Sequence, residues 1–233
     1  MSSGPVGLIL AALDVDVDNG AAWNRWYDLE HLAPNLALPG IVAGHRYVAP
    51  PALHTSRVVD GDDAVWGGGR SVYLTWYATS VDPAEAIASM SQRRDELEAE
   101  GRMDGAGARI VRSGDALKLV DRASDPALRL APEDLVHVGH VGLRLVIDRD
   151  ERPASLGPGV AVSLRFSSAF VPGSFAELQL LTVPAAEVLD ELRSGRETEA
   201  VLDAGFDRIE PLRHPFVAAI AASDLPRTVE ASP

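Results

Sequence analysis

The sequence predicts an α+β fold made of two halves with the same order of elements, and three observations point to it. Strand-length apolar runs alternate with helix patterns along the 233 residues. In each half the third such run leads into a helix opened by a proline, at Pro83 and again at Pro184. A polar, proline-containing stretch, 121–134, reads as a linker between a first half (1–120) and a second (135–233). Two units of about 100 residues each can bury a core without staples.

Residues 7–15 form an apolar run of strand length. Asp18-Asn19-Gly20 offers helix caps, and 21–33 contains no breaker, so a first helix is expected there, ended or distorted by Pro34. Pro39-Gly40 marks a turn. Residues 41–49 read as a strand with Ile41, Ala43, His45 and Tyr47 on one face. A long connection follows to Gly67-Gly68-Gly69, which lacks the Lys-Ser/Thr and the helix of a phosphate loop and reads as a lid or hinge. Residues 71–79 are rich in aromatic and β-branched side chains, with Val72, Leu74 and Trp76 on one face and Tyr73, Thr75 and Tyr77 on the other. Asp82 as N-cap, Pro83 and Glu85 open a second helix that Gly101 stops, and 109–120 supplies the last strand of the first half.

In the second half, strands are expected at 135–147, 160–170 and 175–183. A helix follows from Pro184 to about residue 204, and then a final strand at 216–222. Residues 149–159 hold Pro153, Gly157, Pro158 and Gly159 and cannot make a counterpart of the first helix, so a site built on that helix occurs once per chain. A βαββαβ half lays four antiparallel strands in one sheet with its helices on one face. The bare faces of two halves can cover each other, sheet against sheet, with room for a cavity between them.

Composition narrows the function. Without cysteine there is no disulfide, thiolate metal site or cysteine nucleophile. A net charge of −13 repels phosphate backbones and anionic lipid heads, so neither nucleic acid nor membrane is an expected partner. The run 6–13 is far short of the ~20 residues of a membrane span, and residues 1–5 lack a basic leader, so a cytoplasmic protein is expected.

The stretch Trp23-Asn24-Arg25-Trp26-Tyr27-Asp28-Leu29-Glu30-His31-Leu32-Ala33-Pro34, with Pro39-Gly40 and Arg46-Tyr47 after it, resembles the signature of the EthD-like branch of the dimeric α/β-barrel superfamily. That signature reads W-Y-x-x-x-H-x-x-P, a P-G turn and an R-Y strand. The resemblance implies ferredoxin-like halves paired across their sheets as a pseudo-dimer within one chain, the second lacking its first helix. It also implies action without metal or organic cofactor on a small hydrophobic or aromatic molecule, by a monomer with an internal pseudo-dimer or by a homodimer. The second half carries no copy of the motif, so a symmetric pair of sites is not expected.

His31 is the leading acid/base candidate by its pKa range. Asn24, Asp28 and His31 share one helix stripe, so Asp28 could orient the imidazole. The helical wheel, however, puts Ala22, Trp26, Leu29 and Ala33 on the apolar arc and His31 nearer the opposite flank, which argues for a surface or capping role. Tyr47, a second catalytic candidate, shares a strand face with His45. If these two and Tyr73 and Tyr77 line the space between sheets, they form an aromatic pocket with Trp23 and Tyr27; otherwise they are packing. Arg46 either pairs with Asp28 or Glu30 or captures a substrate carboxylate. His137 and His140, three apart on an expected strand, would point to opposite faces and make a poor metal pair. Arg165, Glu177 and Gln179 put polar stripes on strands that face either a cavity or solvent. The expected function is a cofactor-independent isomerase, dehydratase or cyclase. The alternative is a non-catalytic small-molecule-binding or interaction protein.

Overall fold

The computed structural model describes residues 4–61, 63–104, 107–194 and 200–223. Strand β1 (Gly7–Val15) leads through a 3-10 turn into α1 (Gly20–Trp26), which continues as a π-helical stretch (Tyr27–Leu32) and α2 (Ala33–Leu36). Then come β2 (Ile41–Val48), α3 (Pro51–Thr55), the short β3 (Val58–Val59), β4 (Tyr73–Thr79), α4 (Pro83–Ala99) and β5 (Arg109–Ser124). The remaining elements are β6 (Gly142–Asp148), β7 (Val160–Ser168), β8 (Phe175–Leu181), α5 (Ala185–Ser194), β9 (Leu202–Arg208) and α6 (Phe216–Ala221). No described helix is long and apolar enough to cross a membrane.

Eight strands form one antiparallel ring in the order β2-β4-β1-β5-β7-β8-β6-β9. The ring closes where β9 pairs back onto β2, with Tyr47 opposite Arg208 and Val48 opposite Asp207. Closure leaves no long edge with unpaired backbone groups. Instead of two sheets stacked face to face, the strands are continuous around a barrel, because β5 is long enough to pair with both β1 and β7. Its residues Asp121–Ser124, which composition marks as linker, belong to the ladder with β7.

Alternation along each strand sorts the side chains. Leu8, Leu10, Tyr47, Leu74, Trp76, Leu143, Leu145, Leu164, Phe166, Leu178 and Phe206 lie in the core cluster that includes the barrel interior. The opposite face of β1, β2 and β4 holds Ile9, Leu13, Tyr73 and Tyr77 and is covered by Trp23, Trp26 and Tyr27 from the first helix and Ala86 from α4. Every residue of β4 is buried, since the strand is covered on both faces. Leu53 and Trp66 of the β2–β4 connection and Leu135 and Val136 of the β5–β6 connection pack into the same core cluster.

Pro34 distorts the first helix without ending it: the chain runs on to Leu36, because the wide π turn just before it accommodates a residue with no N–H and a ring that crowds the preceding turn. Other expectations change. The strand expected from residue 135 begins at Gly142, and Leu135–His137 is a 3-10 turn. The described part of the helix after Pro184 is Ala185–Ser194, and 202–208, whose first residues fall in the span expected to be helical, is a strand. The alternation Leu202, Ala204, Phe206 against Asp203, Gly205, Asp207 is a strand period, whereas 216–221 after Pro215 is helical. Residues 149–159 form no helix, as their prolines and glycines dictate.

Gly205 lets α5 sit on the barrel: a Cβ there would come within 2.5 Å of Leu189 Cδ1 and 3.1 Å of the Ala185 Cβ. Gly205→Ala should therefore lower stability by about 1–3 kcal/mol in denaturant unfolding. Gly114→Ala, where an added Cβ meets nothing within 4 Å, should stay close to wild type.

Candidate functional site

The first-half sheet divides the candidate residues between its two faces. Trp23, Tyr27, Asp28, His31, Arg46, Tyr73 and Tyr77 lie on the helix side, and His45 and Tyr47 point into the barrel. The aromatic pocket expected from all the tyrosines together does not form, because β4 sends Tyr73 and Tyr77 to the face opposite Trp76 and β2 sends Tyr47 to the face opposite Arg46.

On the helix side Arg46 is the organising charge. It bonds Asp28 Oδ1 at 2.5 Å, Asn24 Oδ1 at 2.5 Å and the Asn24 carbonyl at 3.2 Å. Its guanidinium stacks over Trp23 (4.8 Å) and Tyr27 (4.3 Å). Asp28 Oδ2 accepts from the Leu212 N–H (2.7 Å) and from His214 Nε2 (2.9 Å). Of the two roles open to Arg46, this geometry is the pairing with Asp28. Asn24 Nδ2 donates to the Tyr73 hydroxyl at 3.2 Å, and the Tyr27 and Tyr77 hydroxyls lie 3.5 Å apart. The buried residues are thus Trp23, Asn24, Trp26, Tyr27, Asp28 and Leu32, while Leu29 of the expected arc is 42% exposed. The apolar arc of the wheel is overridden because two polar residues turn inward to reach a buried arginine.

Asp28 does not orient His31. The His31 ring stacks on Trp26 (5.6 Å between centroids) and stands edge-on to Tyr27 (4.6 Å). Its Nδ1 is buried without a hydrogen-bond partner among the described residues. Burial first, and then the charges of Arg109, Arg46 and Arg94, lower its pKa to about 4.

Inside the barrel a directional chain of hydrogen bonds forms at the end covered by the β5–β6 connection. Trp76 Nε1–H donates to Tyr47 Oη at 3.0 Å. Tyr47 Oη lies 2.6 Å from His140 Nε2, and His140 Nδ1 lies 2.8 Å from the Val138 carbonyl. A carbonyl only accepts, so Nδ1 carries the proton, Nε2 accepts, and the tyrosine hydroxyl donates to it. His45 stands edge-on to both Trp76 (4.8 Å) and His140 (5.0 Å). Arg208, opposite Tyr47 across the closure, donates from Nη1 to the His140 carbonyl at 3.2 Å. Burial chiefly, and then the Arg208 charge, bring His45 to about 3; burial lowers His140 to about 4. Burial likewise pushes the Tyr47 phenol well up. At neutral pH the cluster holds two uncharged imidazoles, a protonated phenol and one cation. Tyr47 is fully enclosed, whereas His45 and Arg208 keep partial access to solvent.

Trp76, His140 and Arg208 were not legible as site residues. His140 sits in a loop with no periodicity. Arg208 carried a signal, since it closes the inward face of a strand that otherwise reads Leu202, Ala204, Phe206. The stripes of Arg165, Glu177 and Gln179 face neither cavity nor solvent: they are buried outside the barrel. There Glu177 accepts from Ser155 N–H and Oγ and from Ser163 (each 2.8 Å), Gln179 donates to the Ser155 carbonyl (2.9 Å), and Arg165 pairs with Asp148. Among the described residues no group of three or more potential ligands is placed to hold a metal ion.

Two outcomes follow from this geometry. Asp28→Ala should cost about 3–5 kcal/mol, because it strands the buried Arg46 charge, and Tyr47→Phe about 1–3 kcal/mol, because it unpairs Trp76 Nε1 and His140 Nε2. His31, His45 and His140 bind their protons more weakly folded than unfolded, so their contribution to stability is complete above about pH 6.5. It should erode as the pH falls from there towards 4, which the melting temperature against pH and imidazole NMR titration both read.

No protein-family model matches the sequence, and no curated protein matches it. Among solved structures the chain is similar to one provisionally assigned as a chlorite dismutase, with a TM-score of 0.53 at 11% identity over 92% of this chain and 98% of that one. It is also similar to provisionally assigned monooxygenases from Lactobacillus acidophilus (TM-score 0.46, 8% identity, 87% of this chain and 92% of that one) and Fusobacterium nucleatum (0.47, 5%, 90% and 94%). At such identities the first likeness speaks for fold alone, and that fold is a barrel of the dimeric α/β-barrel type.

Proposed function

We propose that the chain is a fusion of two ferredoxin-like halves, the second without its first helix, and that it binds a small hydrophobic or aromatic molecule at the His45–His140 end of the barrel. The strand orders β5-β1-β4-β2 and β7-β8-β6-β9 support the first part, because each reads 4-1-3-2 or its reverse when numbered within its own half. The motif around Trp23–Pro34 supports the EthD-like branch.

The observation that carries the binding site is the ordered chain from Trp76 through Tyr47 to His140 beside a partly accessible neutral imidazole. A neutral His45 can take a proton from a substrate carbon or hydroxyl. Tyr47 and His140 hold the tautomer and the wall against which the substrate ring lies. Isomerisation, dehydration or cyclisation without a cofactor needs no more than this proton transfer and a donor to the developing oxyanion. The closed ring supports action as a monomer with an internal pseudo-dimer; a homodimer is the alternative assembly, and the cytoplasm is the proposed location.

A non-catalytic binding role is the second reading. It is favoured by how much of the interior Leu143, Phe166, Leu178 and Phe206 fill, which confines a ligand to the barrel end. The orphaned Nδ1 of His31 keeps that residue as the alternative proton carrier on the helix side.

Thermal-shift screening with aromatic acids, lactones and phenols should raise the melting temperature by mass action. His45→Asn should abolish the shift and, with a turned-over substrate, lower kcat at least 100-fold, while His31→Asn leaves both near wild type. Loss of turnover in His31→Asn alone would move the chemistry to the helix side. Binding without turnover would establish the non-catalytic role.

A further inference from the structure

We propose that the barrel end is built for an organic anion: a carboxylate or phenolate oxygen on a small apolar body, held by Arg208 with His45 beside it. This deepens the site described above and rests on that reading.

Arg208 differs from most of the buried arginines, as does Arg57, whose guanidinium bonds only the carbonyls of Trp66, Arg70 and Ser71. Arg46, Arg144, Arg152 and Arg165 are each paired with a carboxylate at the sheet surface they face. Arg208 has no carboxylate partner among the described residues, and the one side-chain hydrogen bond it makes to them runs from Nη1 to the His140 carbonyl. That bond aims the guanidinium without neutralising it, and leaves the other edge of the fork for a second planar partner. Across the closure it faces Tyr47, so it lies on the inward side of the ring. The Arg208 charge is felt at all three groups: after burial it opposes protonation of His45 and His140, and it favours ionisation of Tyr47. In a protein of net charge −13 this is a local positive field inside an acidic shell.

For the apolar half of the ligand the partly exposed ring is His45, backed by the buried rings of Trp76 (4.8 Å) and His140 (5.0 Å). Anion and proton are coupled here. While Arg208 is unpaired its charge opposes protonation of His45. A bound anion cancels that opposition and adds its own attraction, so His45 becomes more basic when the site fills, as a proton acceptor must.

The test uses the full chain with benzoate and phenylacetate against the neutral benzamide and phenylacetamide, by calorimetry and imidazole NMR. The acids should bind wild type at least ten-fold tighter than the amides, with shifts at His45 and His140. Arg208→Gln should lose that ten-fold for the acids and leave the amides unchanged. Arg208→Lys, which keeps the charge and a donor to the His140 carbonyl, should fall between and serves if the glutamine variant unfolds. Bound acid should also raise the His45 titration midpoint, and added NaCl should weaken the acids only. Equal binding of acids by wild type and Arg208→Gln, or equal affinity for acids and amides, overturns the inference. In that case shifts at His45 from the amides leave the apolar site standing. If no probe shifts either imidazole, both readings fall.

Discussion

Everything in this molecule depends on closure of the ring between β2 and β9. Only two ladder pairs make it, Tyr47 with Arg208 and Val48 with Asp207, yet they decide which side of the sheet is inside. Once the ring is closed, the two-residue period of β2 sends Tyr47 and His45 inward and Arg46 outward, towards a helix. Adjacent residues of one short motif are then committed to separate environments, and nothing in their chemistry would have separated them.

The outer faces of the barrel are held by charge as well as by apolar packing. On the first-half side Arg46, Asn24, Asp28 and His214 tie helix, strand and C-terminal segment together. On the second-half side Arg144 pairs with Asp203, and Arg165 and Arg152 share Asp148 and Glu177 under residues 149–159. Each system satisfies most of its donors and acceptors internally, as a buried ionic cluster must if its desolvation is to be offset. Such clusters specify which segment lies where; they leave little capacity for a ligand. The barrel end differs: among the described residues Arg208 has no carboxylate partner, and the imidazoles there are neutral.

Desolvation sets the chemistry there. An imidazole enclosed by aromatic rings and faced by a guanidinium stays uncharged, and a buried phenol stays protonated. The result is a cluster rich in polar atoms yet carrying a single charge.

Much was legible in the residues alone. The boundaries of β1, the cap and start of α4 at Asp82-Pro83, and the missing helix at 149–159 follow from local rules: apolar runs, caps, and the exclusion of proline and glycine from helix interiors. The Arg46–Asp28 pairing was one of two readings that the motif allowed. The inward turn of Asn24 and Asp28, the extension of β5 through Asp121–Ser124, and the meeting of Tyr47 with His140, 93 residues on, were not legible. Sequence by itself determined the order and kind of most elements, because helix and strand periods are properties of neighbouring residues. Tertiary structure alone decided which face of each strand became the interior and which distant side chains share it, because closure and burial are satisfied only by the whole ring at once.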